Sequence, residues 1–167
     1  TTTWTAVNQP YHVTGTITVL AGNTLTIEAG VDVLFDADVQ FIVEGQLVAI
    51  GTETDSIRFI RGISSEWGGL RLIDASDSST IHYARISDGL AEGDDLSDFG
   101  GAVFLKGARL GISHSVITGN RAYIGAGLAA LDNCVLTVYS CKITKNNAQM
   151  AGGGVWGSGD SWTAITE

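Results

Sequence analysis

The sequence of 167 residues has little positive charge and no long apolar run, and each of these two shortages argues against a class of protein. Lys and Arg number 9 against 18 Asp and Glu, and the net charge of −9 argues against nucleic acid, whose phosphates require a basic surface. No apolar stretch approaches the ~20 residues of a transmembrane helix, so no membrane span is expected. What the chain does have is 22 glycines, which favour tight turns between short strands.

Cysteine is also scarce, and the two present suit neither a cross-link nor a metal site. Cys134 and Cys141 lack the spacing with histidines that zinc sites show. The strand predicted from Cys134 to Val138 spans ~13 Å at ~3.3 Å per residue. Because a disulfide needs Cα atoms within ~7 Å, the sequence predicts two free thiols.

An internal repeat organises the chain. Residues 112–120 align with residues 138–146 at an offset of 26. Similar glycine-rich segments precede the two copies at 100–103 and 125–128, and a third follows the second copy at 152–155. A period of this length, filled with apolar residues at every second position, is typical of stacked short strands. Asn120 and Asn146 fall at the same corner of successive coils, where stacked asparagines hydrogen-bond one another and the backbone.

The alternating pattern predicts three strands per coil. Equivalent positions on the first strands are Val19, Val43, Leu72, Leu105 and Ala130, with spacings of 24, 29, 33 and 25 residues. The sequence therefore predicts an all-β, right-handed parallel β-helix, a three-sheet solenoid of about five to six coils that is incomplete at its C-terminal end. Residues 1–14 are expected to form an N-terminal cap segment, and residues 15–167 the β-helix, with an acidic loop insertion near 88–99.

Several short motifs resemble those of secreted bacterial right-handed parallel β-helix proteins of the pectin-lyase-like superfamily. They are PYHVTGTITV (10–19), LTIEAG (25–30), VEG (43–45), AIGT (49–52), IRF (57–59) and WGGL (67–70). The resemblance extends from about residue 10 to the end and implies the fold. Such repeats occur in lyases, glycosidases, adhesins and other surface proteins, so the resemblance leaves the activity open.

The acidic loop is the first candidate site. Asp88, Asp94, Asp95 and Asp98 are carboxylates on a glycine-bearing segment, and carboxylate oxygens are the ligands that Ca²⁺ prefers. Resemblance to calcium-dependent pectate lyases favours a metal here. The alternative is a solvated acidic loop.

A charged column on the third strands is the second candidate. The predicted register places Asp32, Arg58, Arg85, Val116 and Lys142 in one outward row. In polysaccharide lyases of this fold a basic residue removes a proton from the sugar, so the resemblance makes Arg58, Arg85 and Lys142 candidate catalytic residues. The row lacks the aspartate cluster of those enzymes, and solvated charges are the alternative.

Aromatic residues are the third candidate. Trp67, Trp156 and Trp162 could stack on sugar rings if they share a face. Trp156 and Trp162 fall in the last coil, where a partner surface is the alternative. Exposed strand edges and apolar ends recruit partners, so a homodimer through the open C-terminal coil is expected.

Two classes of function fit these features. The first is a secreted or cell-surface β-helix module that is non-catalytic and binds carbohydrate or serves as an adhesion or structural stalk. The alternative is a polysaccharide lyase or glycoside hydrolase, or a fragment of one, acting on acidic polysaccharide. Few Lys and Arg beside many Ser, Thr, Asn and Gly residues favour an extracellular location.

Overall fold

Alternating apolar residues turn every second side chain of each short strand towards a shared interior. The computed structural model describes residues 1–36, 38–63, 66–93 and 98–167. Those residues form 22 strands and one 3-10 helix of three residues. Within the described parts, no helix has the length and apolar character that a membrane-spanning segment requires.

The strands follow one another coil by coil. A first partial coil contains β1 (Thr2–Trp4), the 3-10 helix (Ala6–Asn8) and β2 (Tyr11–Val13). The next two coils are β3 (Ile17–Val19), β4 (Thr24–Ile27) and β5 (Asp32–Phe35), then β6 (Phe41–Val43), β7 (Gln46–Ile50) and β8 (Ile57–Arg61). They are followed by β9 (Leu70–Ile73), β10 (Ser79–His82), β11 (Ala84–Ser87) and β12 (Leu90–Ala91).

The remaining coils contain four, four and two strands. They are β13 (Val103–Lys106), β14 (Arg109–Ser113), β15 (Val116–Thr118) and β16 (Arg121–Ile124), then β17 (Leu128–Leu131), β18 (Val135–Tyr139), β19 (Lys142–Thr144) and β20 (Asn147–Ala151), and finally β21 (Val155–Ser158) and β22 (Trp162–Thr166). The stack has about six coils.

Equivalent strands pair in parallel and form four sheets. Sheet 1 is β3-β6-β9-β13-β17-β21, sheet 2 is β1-β4-β7-β10-β14-β18-β22, sheet 3 is β2-β5-β8-β11-β15-β19, and sheet 4 is β12-β16-β20. The predicted all-β parallel β-helix is confirmed. The predicted register is confirmed too, because Val19, Val43, Leu72, Leu105 and Ala130 are successive partners along sheet 1.

Sheet 4 goes beyond the three sheets predicted from the sequence. It begins inside the segment expected as an acidic insertion, where Leu90 pairs with Arg121 and Ala91 with Ala122. Small buried side chains pack beneath it, namely Ala91, Ala122 and Ala126. At the other end of the chain, the segment 1–14 contributes β1 and β2, which pair with β4 and β5.

One continuous core runs through the stack. It is aliphatic along most of its length, with a stack of aromatic rings near the early coils, where Phe35 and Trp67 lie parallel with centroids 3.8 Å apart. The cysteines are both free, as predicted, with Cys134 buried and Cys141 half-buried. A strand separates them, since Cys134 precedes β18 and Cys141 precedes β19.

Candidate functional site

The three long sheets each have an outer face, and that of sheet 1 is covered in its middle. Phe104 and Ala129 point away from the core, yet both have 0 % exposure. The connections from sheet 4 cross over them through glycines such as Gly125, which has φ of 65° and leaves so little space that a Cβ there would lie 2.7 Å from Ala129 Cβ. This part of sheet 1 has no surface left for a ligand.

Arg71 lies in the same covered layer and is 2 % exposed. Its Nε donates to the Gly68 carbonyl at 2.7 Å, Nη1 donates to the Phe99 carbonyl, and the guanidinium lies 5.7 Å from the Phe104 ring centroid. Burial lowers the pKa of Arg71 to about 10. The side chain therefore ties the Phe99 segment to sheet 1, which is a structural role.

The charged column predicted on sheet 3 is present. Arg58 lies opposite Asp32 on one side and Arg85 on the other, and Val116 lies between Arg85 and Lys142. Arg58 donates through Nε and Nη2 to both carboxylate oxygens of Asp32. This hydrogen bonding raises the pKa of Arg58, whereas a catalytic base needs a lowered one. The alignment is confirmed, and the catalytic role of these residues stays a prediction.

The carboxylates expected to bind Ca²⁺ are only partly described. Asp88 accepts a hydrogen bond from Ser87 Oγ at 2.7 Å and lies 3.9 Å from Nε of Arg61, and Asp98 accepts from the Gly93 amide at 2.9 Å. Asp94 and Asp95 lie outside the described residues. Within the described ranges, no group of three or more His, Cys, Asp and Glu side chains is arranged to hold a metal ion. The calcium site stays a prediction.

The three tryptophans do not share a face, so the condition set for their joint stacking on sugar rings is not met. Trp67 has 0 % exposure, because its ring stacks on Phe35 inside the core and its Nε1 donates to the Ser87 carbonyl at 2.9 Å. Trp156 is half-buried on sheet 1, with its ring centroid 5.1 Å from that of Phe99. Trp162 alone is well exposed, at 59 %, and lies on sheet 2.

The outer face of sheet 2 has exposed residues on β14, β18 and β22. Along its register, Arg109, Val135 and Trp162 form one outward row. Gly111 and Thr137 lie in the neighbouring row, two residues further along the same strands. Since adjacent strands are ~4.8 Å apart, about 10 Å separates the backbone at Arg109 from that at Trp162.

A groove forms on this face because the corners between sheets 1 and 2 differ in length. The corner has five residues (74–78) before β10, two (107–108) before β14 and three (132–134) before β18. The short corner of the middle coil recedes between its longer neighbours. Arg109, the first residue of β14, lines the recess and is exposed.

Two adjoining depressions make up this recess, here named the Arg109 groove. The larger, of about 510 Å³, is lined by residues 75–78, Gly107, Arg109 and Asn133. The smaller, of about 200 Å³, continues onto sheet 2 and is lined by Ser78, Arg109, Leu110, Gly111, Val135 and Thr137. Ser78 and Arg109 belong to both, so the groove runs from the corner onto the open sheet.

Two glycines shape the groove for different reasons. Gly107 has φ of 58°, and a Cβ there would lie 2.5 Å from Asp74 Oδ1, so the short corner requires glycine. At Gly111 a Cβ would meet nothing within 4 Å. Gly111 is therefore not needed for packing, and its lack of a side chain leaves bare backbone as the floor.

The polar side chains of the groove are largely free. The Arg109 side chain makes no hydrogen bond or ion pair within the described structure. Asp77 accepts a hydrogen bond from Ser76 Oγ at 3.2 Å, and the Ser78 hydroxyl and the Asn133 amide have no partner among the described residues. The groove thus offers a cation, a carboxylate, a hydroxyl and an amide to a ligand.

Sequence reasoning missed Arg109 and Gly111. The repeat aligns their outward positions with Val135 and Thr137, so a charge and a missing side chain facing outwards could have been noticed. The recess itself has no local signal, because it depends on the lengths of three corners in different coils.

A second depression, of about 330 Å³, lies at the N-terminal end of the stack between β3 and β4, against Trp4. It is more apolar than the Arg109 groove, and its lining includes half-buried Ile17 and buried Leu25. The Trp4 ring stacks there on Tyr11 at 4.8 Å. The Arg109 groove has the more diverse polar groups.

Comparison of the chain with protein-family models, with curated proteins and with solved structures finds no match.

Proposed function

We propose that the protein is a non-catalytic β-helix module that binds carbohydrate along the outer face of sheet 2. The observation that supports this most is the Arg109 groove, a recess with free polar groups that opens onto an uncovered sheet. Sugar rings bind proteins through hydroxyl hydrogen bonds and through stacking on aromatic faces. The groove provides the first, and exposed Trp162 provides the second.

The dimensions fit a short oligosaccharide. About 10 Å along the stacking direction separates Arg109 from Trp162, with Val135 between them. Val135, the residue between the two ends, is half-buried, and Gly111 in the neighbouring row adds no side chain beside it. A chain of a few sugar units can lie between the two ends, with one ring against Trp162.

The first test fills the floor of the groove. Gly111→Val introduces a side chain into open space, and valine favours strands, so the fold should be kept and stability should rise by roughly 0.5 kcal/mol. On a glycan array, the wild type should bind at least one set of related glycans. The variant should bind them about tenfold more weakly.

Gly15→Val is the matched control, because a Cβ at Gly15 also meets nothing within 4 Å and the residue lies between β2 and β3, away from the groove. It should bind as the wild type does. Failure of the wild type to bind any glycan would overturn the proposal, as would equal binding by Gly111→Val.

The competing function is a polysaccharide lyase that uses Arg58, Arg85 and Lys142. Arg58 is held by Asp32, and Val116 separates Arg85 from Lys142, so the column offers no cluster of free bases. Incubation with a panel of anionic polysaccharides, with absorbance read for unsaturated product, should show none. Product that disappears in Arg85→Ala would establish the lyase instead.

We further propose a secreted or cell-surface location, supported by the composition of the sequence. Labelling of intact producing cells with an antibody, compared with lysed cells, tests it.

The homodimer through the C-terminal coil also stays a prediction, supported by the exposed side chains of Trp162 and Ile165. Light scattering at micromolar concentration should show twice the mass of one chain.

A further inference from the structure

We propose that the Arg109 groove recognises an anionic substituent on the glycan, either a carboxylate or a sulfate ester. This inference rests on the proposed function and adds the chemical class of its ligand. The shared chemistry is a compact group of oxygen acceptors bearing negative charge. The guanidinium of Arg109 is the group that binds it.

Among the described residues, Arg109 is exposed, unpaired and lines the groove, whereas Arg85, which is also unpaired, lies on the outer face of sheet 3 beside Arg58. Arg58 is paired with Asp32, Arg121 with Glu66, and Arg71 is buried beneath the sheet 4 connections. A guanidinium presents several N–H donors in one plane, a geometry that matches carboxylate and sulfate oxygens. An exposed arginine that lines a groove without a protein partner is available for such a group.

Neutral donors stand beside the cation. The Ser78 hydroxyl and the Asn133 amide line the same depression and have no hydrogen-bond partner among the described residues. Both can donate to an anionic oxygen that Arg109 does not reach. A site with a cation and two neutral donors satisfies more of the acceptor oxygens than an isolated surface arginine would.

The carboxylate of Asp77 determines the orientation of the ligand in the groove. Asp77 lies in the wall of the same depression without forming an ion pair with Arg109. It repels a second negative charge but accepts hydrogen bonds from hydroxyls. The ligand is therefore an anionic sugar that directs its charge to Arg109 and its hydroxyls to Asp77.

Because the net charge of the protein is negative, an anionic ligand is attracted only in the immediate surroundings of a cationic side chain. A net charge of −9 repels a polyanion, and screening limits that repulsion to about 8 Å at physiological ionic strength. General attraction of the polyanion to the protein surface is therefore absent, and binding of an anionic glycan requires one specific cationic group.

The experiment uses pairs of oligosaccharides that share a backbone and differ only in a carboxylate or a sulfate ester, presented on one array to the full chain. The wild type should bind the anionic member of a pair about tenfold more tightly than the neutral member. Arg109→Gln should bind both members equally, and Arg109→Lys should recover part of the preference. The carboxylate and sulfate pairs show which anion the site prefers.

Lys145→Gln is the matched control, since it removes the same charge from an exposed residue at the corner between sheets 3 and 4. It should keep the preference. Equal loss in Arg109→Gln and Lys145→Gln would mean that only net charge matters and would overturn the inference. Equal wild-type binding of neutral and anionic members would overturn it while leaving the proposed function intact. No binding of any glycan would overturn both.

Discussion

Asn120 Nδ2 donates a hydrogen bond to Asn146 Oδ1 at 2.9 Å, which joins two successive coils at the same corner. Asn120 has 0 % exposure, and its own Oδ1 accepts from the Gly89 amide at 2.9 Å in the coil before. Asn146 in turn donates to the Ile117 carbonyl at 3.0 Å. The two asparagines therefore satisfy backbone groups that the corner removes from the sheets.

Replacing Asn120 should destabilise the stack. Asn120→Ala leaves the Gly89 amide without its acceptor in a buried site and removes the side-chain donor to Asn146 Oδ1, which keeps only the backbone amide of residue 120. The unfolding free energy should fall by roughly 1–3 kcal/mol. Urea denaturation measures it. Asn147→Ala, at an exposed position one residue past Asn146, should change stability by less than about 0.5 kcal/mol. Similar losses of unfolding free energy in the two variants would mean that the hydrogen bonds of the Asn120 side chain do not stabilise the fold.

Substitution of Trp67 should lower stability, whereas substitution of Trp162 should lower glycan binding. Trp67→Leu removes a fully buried ring that stacks on Phe35, so the unfolding free energy should drop by roughly 3 kcal/mol. Trp162→Leu changes a side chain that is 59 % exposed and should cost far less. Thermal denaturation and the glycan array together check the pair. The prediction fails if Trp162→Leu melts as early as Trp67→Leu or binds glycans as the wild type does.

Asp36 should make stability depend on pH. His12 Nδ1 lies 2.7 Å from Asp36 Oδ2, and the Ile63 amide donates to Oδ1 at 3.2 Å. Chiefly through the bond from His12, these contacts lower the pKa of Asp36 against a weaker opposing effect of desolvation. A lowered native pKa means that the folded state holds the carboxyl ionised where the unfolded state already binds a proton. The stabilisation is present above the unfolded value of about 3.9 and is lost as the pH falls through the native pKa.

Denaturation of the wild type and of Asp36→Asn between about pH 2 and 7 measures this effect. This pH range brackets the pKa of about 3–5 that aspartate side chains ordinarily have. The wild type should be the more stable near neutral pH, and the difference should shrink as acid protonates Asp36. A difference that stays constant over the whole range would contradict the assignment.

The thiols should be free but slow to react in the folded protein. Cys134 is 1 % exposed, and its Sγ donates to the Leu131 carbonyl at 3.2 Å. Burial raises the pKa of the Cys141 thiol, which reduces its reactive thiolate at neutral pH. Titration with a thiol reagent should count two thiols per chain after denaturation and proceed slowly before it. Rapid reaction of the native protein would show that the β18 and β19 corners open readily.

The alternation of apolar residues and the 26-residue offset were sufficient to predict strands, coils and register. The reason is that side chains in a strand alternate between two faces, so one correct assignment determines which residues are inside. Ile112 and Val138 are direct partners, and so are Ile117 and Ile143. The charged column through Arg58, Arg85 and Lys142 follows from the same rule, and so does the separation of Cys134 from Cys141.

Only the tertiary structure decided the position of Trp67, the covering of sheet 1 and the Arg109 groove. Trp67 follows a connection rather than an alternating strand, so no period indicates that its ring enters the core beside Phe35. Sheet 4 begins in a two-residue strand, Leu90–Ala91, too short to show alternation. The groove depends on how far one corner recedes relative to corners in the coils before and after it. That comparison joins residues such as Asp77, Arg109 and Asn133, which are successively 32 and 24 positions apart in sequence and become neighbours only when successive coils stack ~4.8 Å apart.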